Sequence, residues 1–127
     1  MKIMRIVALA AAAALLSAPL TVVPASAAAG ASYTLSITQR GATRTVALTC
    51  SPDGGTHPSP AAACARLARA WGDPAMIAPK TGVFCIALYD PVTATATGNY
   101  FGRPIAYTRS FTNMCWLNVA TWEVFAF

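Results

Sequence analysis

The sequence predicts an α+β fold, in which an antiparallel sheet of about five strands carries one main helix, with at most a short second one, on one face. Three observations lead to this fold class. Several segments alternate apolar and polar residues, one stretch repeats apolar residues at helical spacing, and four cysteines occur in 127 residues. The chain contains no internal repeat and no linker-like stretch, so we expect a single domain.

The strand predictions rest on alternation and on turn residues. Tyr33, Leu35 and Ile37 alternate with hydroxyl-bearing residues, and Thr43–Cys50 alternates again after a glycine-containing turn at Gln39–Ala42. Later segments have high strand propensity around a turn region, and two shorter apolar runs follow. These are Val92–Thr97, the turn Gly98–Pro104, Ile105–Phe111, Met114–Leu117 and Val124–Phe127.

The helix prediction rests on start and stop signals. Ser59 is a good capping residue, Pro60 suits the first helical position, and Gly72 ends the pattern. Arg66 and Arg69 lie on other faces and are expected to be solvated. The predicted buried stripe consists of Cys64, Leu67, Ala68 and Trp71.

The N-terminus has the pattern of a secretory signal peptide. Lys2 and Arg5 precede the apolar segment Ile6–Leu16, and small residues follow at Ala25-Ser26-Ala27. The apolar run is shorter than the roughly 20 residues that a membrane-spanning helix needs. We therefore expect cleavage after residue 27, or after residue 29, and a secreted domain at residues 28–127 that has no membrane partner.

The composition argues against several classes of function. Hydrophobic residues make up 56% of the chain and charged residues only 10%. The basic residues beyond residue 27 are scattered, whereas a nucleic-acid binder usually clusters them. One histidine, His57, and four acidic residues offer little acid–base chemistry, and no Gly-x-Ser-x-Gly motif is present. We expect neither an enzyme nor a cofactor.

The cysteines predict two disulfides. Cys50, Cys64, Cys85 and Cys115 are an even set in a domain that is expected to be secreted. Three pairings are possible, and the spacing does not choose among them. A metal site is not expected, because no two cysteines have the close spacing of zinc ligands.

The segment Val83–Tyr89 allows two interpretations. Its continuous apolar sequence is typical of a buried strand, and spacing alone favours that interpretation. However, it contains Cys85, begins beside a Thr81-Gly82 turn and ends in Asp90-Pro91. These features suit an extended loop that is presented to a partner.

Short motifs spread over nearly all of residues 28–127 carry a resemblance to a known family. The most specific are Thr49-Cys50, Gly55-Thr56-His57-Pro58, Ala63-Cys64, Tyr89-Asp90-Pro91-Val92 and Val124-Phe125-Ala126-Phe127. In this combination the sequence resembles the Streptomyces subtilisin inhibitor family of secreted serine-protease inhibitors.

The resemblance implies a pairing of the cysteines and a reactive site. The disulfides would join Cys50 to Cys64 and Cys85 to Cys115, and Ala87 would enter the primary specificity pocket of a subtilisin-like protease. The implied protease-contact loop consists of Val83, Phe84, Cys85, Ile86 and Tyr89, with the reactive bond between Ala87 and Leu88.

The chain departs from the family pattern at two places. Ile86 stands where the family commonly has proline, and Trp122-Glu123 stand where the family is usually small and polar. The family commonly forms two-fold dimers through the sheet face away from the protease loops, so we expect a homodimer. Apolar strand residues and Tyr100, Trp116 or Trp122 are candidates for that face, although these aromatics would alternatively complete the monomer core.

Two other classes of function are considered beside the favoured one. The first is inhibition of a secreted metalloprotease through a different surface. The second is a role as a secreted binding or substrate module. One example of the second class is a protein that an extracellular transglutaminase cross-links, with Gln39 or Lys80 as acceptor or donor.

Overall fold

The computed structural model describes residues 12–19 and 28–127. The predicted signal peptide, residues 1–27, lies largely outside the described residues, and its described part has no regular secondary structure. Residues 28–127 form five strands and two α-helices, which confirms the predicted fold class. Among the helices described, none has the length and apolar character needed to cross a lipid bilayer.

The strands form one antiparallel sheet in the order β3-β2-β1-β4-β5. They are β1 (Ala31–Gln39), β2 (Ala42–Cys50), β3 (Gly54–Gly55), β4 (Val92–Tyr100) and β5 (Arg103–Phe111). The short β3 covers one edge of the sheet, and β5 forms the other edge. The predicted number of strands is confirmed, but Val83–Tyr89 is not one of them.

Two-residue turns close both long hairpins. Arg40 and Gly41 join β1 to β2 with φ angles of 53° and 75°, and Phe101 and Gly102 join β4 to β5 with 47° and 87°. Two consecutive positive φ angles give the turn whose twist matches that of the flanking strands. The first turn lies where the sequence predicts it. The second is shorter than the predicted Gly98–Pro104, because both strands continue into that region.

The sheet has a buried face and an open face, because alternate residues of a strand and their cross-strand partners point to the same side. The buried face includes Tyr33, Leu35, Ile37, Leu48, Val92, Ala94, Ala96, Ile105, Tyr107 and Phe111. The open face, called here the hydroxyl face, consists of Ser32, Thr34, Ser36, Thr38, Thr43, Thr45, Thr49, Thr93, Thr95, Thr97, Thr108 and Ser110, with Ala47, Asn99, Pro104 and Ala106 among them. These strand positions carry no charge.

The first helix, α1 (Pro60–Arg69), begins at the predicted residue but lacks the predicted cap. Ser59 occupies the cap position, yet its side chain makes no capping hydrogen bond. Instead its backbone N–H donates to Nδ1 of the buried His57 at 2.9 Å. Because Nδ1 accepts, Nε2 of His57 carries the proton and donates to the Val124 carbonyl at 3.0 Å. The histidine therefore joins the start of α1 to the C-terminal segment.

The buried side of α1 differs from the predicted stripe. Cys64 and Leu67 are buried as expected, but Ala68 is exposed and Trp71 is 73% exposed. The helix ends before Trp71, whose φ angle is 56°. Helical spacing no longer places a side chain beyond that end, so the prediction for Trp71 is wrong. Ala63 takes part in the buried side instead.

The second helix, α2 (Met114–Thr121), extends the short apolar run predicted at Met114–Leu117. Leu117 and Thr121 are fully buried on it. The chain then turns back and buries Val124 and Phe125 in the same core. Both helices thus contribute to one core on one face of the sheet, as predicted.

Trp122 and Glu123 attach the C-terminal segment to α1. The guanidinium of Arg66 lies 3.8 Å from the centre of the Trp122 ring, and its Nε lies 3.2 Å from Oε2 of Glu123. This hydrogen bond lowers the pKa of Glu123. Trp122 Nε1 also donates to the Ala78 carbonyl at 2.9 Å. The prediction that Arg66 is solvated is therefore wrong.

The aromatic residues considered for a dimer face lie elsewhere. Tyr100 pairs with the buried Ala31 on the core side of the sheet, and Trp116 belongs to α2. Trp122 packs on Arg66 of α1. The prediction that they supply the open sheet face is wrong, because the hydroxyl face points away from both helices.

Candidate functional site

Residues Val83–Tyr89, called here the 83–89 loop, form an irregular and exposed segment. The exposed fraction is 88% for Phe84, 65% for Ile86 and 79% for Tyr89, whereas Cys85 is only 7% exposed. The interpretation as a buried strand, which spacing alone favours, is therefore wrong. Large apolar side chains grouped on one exposed segment indicate a surface that binds a partner.

A disulfide fixes the first half of the 83–89 loop to the scaffold. Cys85 is bonded to Cys115 in the first turn of α2, with a Cα–Cα distance of 5.8 Å. The other disulfide, Cys50–Cys64, joins the end of β2 to α1, with a Cα–Cα distance of 5.7 Å. Both pairings implied by the family resemblance are present. The loop is thus covalently attached two residues before Ala87.

Asn113 joins the 83–89 loop to the start of α2 through hydrogen bonds. It is buried, and its Nδ2 group donates to the Leu88 carbonyl at 2.8 Å and to the Ile86 carbonyl at 3.3 Å. Its Oδ1 accepts from the Trp116 N–H at 3.1 Å and so caps α2. The sequence interpretation assigned no role to Asn113. An asparagine directly before an apolar run is a signal for the cap, but no local signal indicates the bonds to the loop.

The backbone bends at Ala87. The Leu88 N–H donates to the Ile86 carbonyl at 2.9 Å, which closes a three-residue turn centred on Ala87. The carbonyl groups on either side of Ala87 are therefore held, while Ala87 itself is exposed at the tip. This arrangement restrains the peptide bonds on both sides of Ala87, and one of them, Ala87–Leu88, is the bond that the family resemblance implies as reactive.

The second half of the loop ends at Asp90, where three parts of the scaffold meet. The Asp90 N–H donates to the Thr112 carbonyl at 2.9 Å, and Gln39 Nε2 donates to the Asp90 carbonyl at 3.2 Å. The carboxylate accepts two bonds from the Arg40 guanidinium, one of them from Nε at 3.1 Å. Sequence reasoning missed Arg40 and Thr112, because both contacts depend on tertiary structure.

Among the described residues, the groups that suggest enzyme chemistry are not brought together. His57 is bonded to backbone groups, Asp53 accepts from the Ser51 N–H at 3.4 Å, and Asp90 is paired with Arg40. No Ser-His-Asp arrangement results from these positions. Cys50, Asp53 and Cys64 have their possible ligand atoms within 4.8 Å, but a disulfide sulfur is not a thiolate ligand.

The clearest pKa shifts in the described part of the chain lie away from the loop. Burial raises the pKa of Tyr33, whose hydroxyl donates to the Gly72 carbonyl at 2.8 Å, and it also raises the pKa of Tyr107. Glu123, described above, is at the C-terminal segment. These shifts therefore belong to the scaffold and not to the 83–89 loop.

The side chains considered for cross-linking are both engaged. Gln39 donates to the Asp90 carbonyl, and the Lys80 Nζ lies 5.1 Å from the centre of the Trp122 ring. No contact of the described residues favours the metalloprotease hypothesis or the transglutaminase hypothesis over the loop.

An exposed, restrained loop on a small disulfide-linked scaffold is the architecture typical of protein inhibitors that bind proteases with little change of shape. The family model for subtilisin inhibitor-like proteins matches residues 21–113. The chain belongs to the subtilisin inhibitor-like family.

Its relatives are named as inhibitors. A subtilase-type protease inhibitor of Streptomyces coelicolor is 46% identical over 85 residues, covering 66% of this chain and 59% of the relative. A trypsin inhibitor of Streptomyces longisporus is 44% identical over 85 residues, with the same shares of the two chains. The chain thus spans about three-fifths of the length of these two relatives.

A solved structure resembles the fold. It is the crystal structure of Streptomyces caespitosus sermetstatin in complex with Bacillus licheniformis subtilisin. The TM-score is 0.58 at 29% identity, and the match covers 76% of this chain and 98% of that one.

Proposed function

We propose that this protein inhibits subtilisin-like serine proteases by the standard mechanism, with Ala87–Leu88 as the reactive bond. The observation that carries the proposal is the restraint around that bond. One buried side chain, Asn113, holds the carbonyls on both sides of Ala87, and the Cys85–Cys115 disulfide fixes the segment before it. A loop that is already held in shape loses little conformational entropy on binding.

The proposed mechanism begins with strand addition. The residues from Phe84 to Ala87 lie along the protease cleft and form backbone hydrogen bonds with it, as extended peptides do at sheet edges. The Ala87 carbonyl enters the oxyanion hole, where backbone N–H groups stabilise the charge that develops on its oxygen. The serine hydroxyl of the protease then attacks the Ala87 carbonyl carbon.

Inhibition follows from what happens after the attack. The Ala87–Leu88 C–N bond breaks, the Leu88 nitrogen takes a proton, and Ala87 becomes an ester of the protease serine. Because the scaffold holds both new ends, the Leu88 amine stays near the ester. It attacks the ester carbonyl, reforms the amide and returns the serine hydroxyl. Religation therefore competes with attack by water, and the complex persists.

Side chains set the expected target. Ala87 is small and uncharged, so it forgoes roughly 1.5–3 kcal/mol that a large buried apolar side chain contributes, and it gives nothing to an acidic pocket. Phe84, 88% exposed three residues earlier, suits a large apolar pocket at that distance. We therefore expect subtilisin-like enzymes to be inhibited more tightly than trypsin-like ones, with elastase-like enzymes as further candidates.

Ile86 replaces the proline that is common before the specificity residue. A proline would fix φ, and a β-branched side chain restricts the segment less. The hydrogen bond from Asn113 to the Ile86 carbonyl supplies a different restraint at the same residue. Ile86→Pro is accordingly expected to tighten inhibition only modestly.

Incubation with subtilisin tests the proposal. We expect a stoichiometric loss of protease activity and slow cleavage at one bond, Ala87–Leu88, identified by mass spectrometry. Trypsin, chymotrypsin, elastase and a thermolysin-like enzyme complete the panel. Rapid digestion into many fragments would reject the proposal, and so would equal inhibition constants for subtilisin and trypsin.

We further propose that two copies associate through the hydroxyl face. This face carries no charge, and charged residues are depleted in the cores of protein interfaces. Thr34 is central on it, between Ala47 and Thr97. Thr34→Lys should give a monomer in size-exclusion chromatography with light scattering. Ala61 is an exposed residue of α1 away from this face, so the control Ala61→Lys adds the same charge and should leave the dimer intact. A wild-type monomer at high concentration would reject this proposal.

The N-terminal pattern supports export. We propose that residues 1–27, or 1–29, are removed on secretion and that the inhibitor acts outside the cell. N-terminal sequencing of the protein recovered from culture medium should begin at residue 28 or residue 30. A product that is retained in cells with residue 1 intact would contradict this.

A further inference from the structure

The β1–β2 hairpin reaches the far side of the proposed reactive bond. Gln39 at its end and Arg40 in its turn both contact Asp90, which lies three residues beyond Ala87. Asp90 has its N–H, its carbonyl and its carboxylate engaged at once. Its side chain is 18% exposed, whereas that of Arg40 is 76% exposed. The hairpin therefore brings a guanidinium over a partly shielded carboxylate.

Arginine is an unusual residue for the position it occupies. Arg40 has a φ of 53° as the first residue of the two-residue turn. Such turns favour asparagine, aspartate or glycine there, because other side chains are strained at positive φ. The turn itself thus gives no reason for an arginine. Its side chain supplies one, since the planar guanidinium binds a carboxylate through two parallel hydrogen bonds.

The two sides of the loop are then fixed by different means. A disulfide at Cys85 holds the side before the reactive bond, and it survives cleavage of that bond. The side after the bond starts at Leu88 and has no covalent link to the first side in its neighbourhood. Its hold on the scaffold depends on hydrogen bonds at Leu88 and on the cluster around Asp90.

We propose that Arg40 and Gln39 are positioning residues that hold the leaving-group side of the reactive bond for religation. The inference rests on the proposed function and adds two residues outside the loop to it. After cleavage in the complex, Ala87 is esterified to the protease serine and Leu88 carries a free amine. With Asp90 held, that amine stays close enough to attack the ester carbonyl, reform the amide and release the serine hydroxyl. Without the hairpin contacts, the Leu88 end moves away and water takes its place.

The test separates the side chain from the turn. Arg40→Asn removes the guanidinium, but asparagine suits the positive φ of this turn position. The melting temperature of the protein should therefore stay the same or rise. Arg40→Lys keeps the charge without the paired hydrogen bonds. Arg44 is an exposed residue of β2, and Arg44→Asn is the matched control for the loss of one arginine. Each variant is incubated with catalytic amounts of subtilisin until the ratio of cleaved to intact inhibitor is constant, approached from both forms.

We expect Arg40→Asn to raise the cleaved-to-intact ratio about fivefold, which is the effect of losing one well-oriented, partly exposed ion pair. The ratio for Arg40→Lys should lie between those of the wild type and Arg40→Asn. Dissociation of the subtilisin complex should accelerate in the same order, and Arg44→Asn should behave as the wild type. A wild-type ratio for Arg40→Asn would overturn the inference while leaving the proposed function standing. A wild-type protein that is not cut at Ala87–Leu88 would overturn both.

Discussion

Asn113 serves two parts of the structure, and substitutions can separate them. Its Oδ1 caps α2, and its Nδ2 group holds the carbonyls of Ile86 and Leu88. Serine caps a helix about as well as asparagine, but it is too short to hold both carbonyls. Asn113→Ser therefore removes the bonds to the loop and keeps the cap, whereas Asn113→Ala removes both.

The distances set the expected magnitude. A net hydrogen bond contributes about 0.5–1.5 kcal/mol, so two bonds give about 1–3 kcal/mol. The bond to Leu88 is 2.8 Å and the bond to Ile86 is 3.3 Å, which favours the lower half of that range. At about 1.4 kcal/mol for each factor of ten, inhibition of subtilisin should weaken about 5- to 30-fold in both variants.

Stability distinguishes the two variants. Asn113→Ala should lose about 1 kcal/mol more of the free energy of unfolding than Asn113→Ser, because only alanine removes the cap. Progress curves with subtilisin give the inhibition constants, and urea denaturation gives the free energies. If Asn113→Ser inhibited as tightly as the wild type, the bonds to the loop would have no part in inhibition. If both variants lost the same stability, the capping assignment would be wrong.

Three further changes test other parts of the site. Ala87→Lys should produce inhibition of trypsin, because lysine supplies the positive charge that an acidic primary pocket binds, and an inhibition panel with no gain would place the specificity residue elsewhere. Cys85→Ser combined with Cys115→Ser should cost about 2–4 kcal/mol of unfolding free energy and turn the inhibitor into a substrate that is degraded, as seen by mass spectrometry. Unchanged inhibition by that double variant would contradict the role of the disulfide. The Arg66 hydrogen bond lowers the pKa of Glu123 in the folded protein. The pair therefore stabilises the fold fully at pH values above the pKa that Glu123 has in the unfolded chain. This contribution disappears as the pH falls through the lower pKa of Glu123 in the folded protein. The melting temperature of the wild type should accordingly fall more than that of Glu123→Gln between about pH 7 and about pH 3, and parallel curves would exclude the effect.

The sheet is the part of the fold that the sequence predicts best. Alternation in β1 and β2 and a glycine at each turn are local signals, and the paired strands place the turns at Arg40-Gly41 and Phe101-Gly102. The start of α1 is local too, because a capping-type residue followed by proline precedes the helical spacing of apolar residues, and proline is favoured at the first helical position. The lack of a side-chain cap at that start is not predictable in the same way, since the Ser59 N–H donates to a His57 ring whose other nitrogen is bonded to Val124, 67 residues away.

The errors have a common physical cause. Apolar content does not tell whether a side chain is buried in its own core or kept exposed for a partner, so Trp71 and the 83–89 loop read as buried. The ionic contact of Arg66 with Glu123 joins residues 57 positions apart, and the bond from Asn113 to Leu88 joins residues 25 apart. Periodicity within a short window contains no information on such contacts. In the sequence, the turn residues and Cys85 only suggest that this loop is presented to a partner, and the family resemblance is what assigns the proposed site to it.

Both edges of the sheet are poor templates for another strand. On the β2 edge, the backbone N–H groups of Thr56 and His57 donate to the Ala47 carbonyl at 2.9 and 3.0 Å. The Ala47 N–H donates in turn to the Thr56 hydroxyl. On the β5 edge, Pro104 has no N–H to offer. A protein that inhibits by strand addition, as proposed for this one, faces the hazard of polymerising through its own strands. At these positions the edges of the scaffold are blunted, which discourages self-assembly into fibres, while in the proposed function the 83–89 loop stays available for strand pairing with the protease.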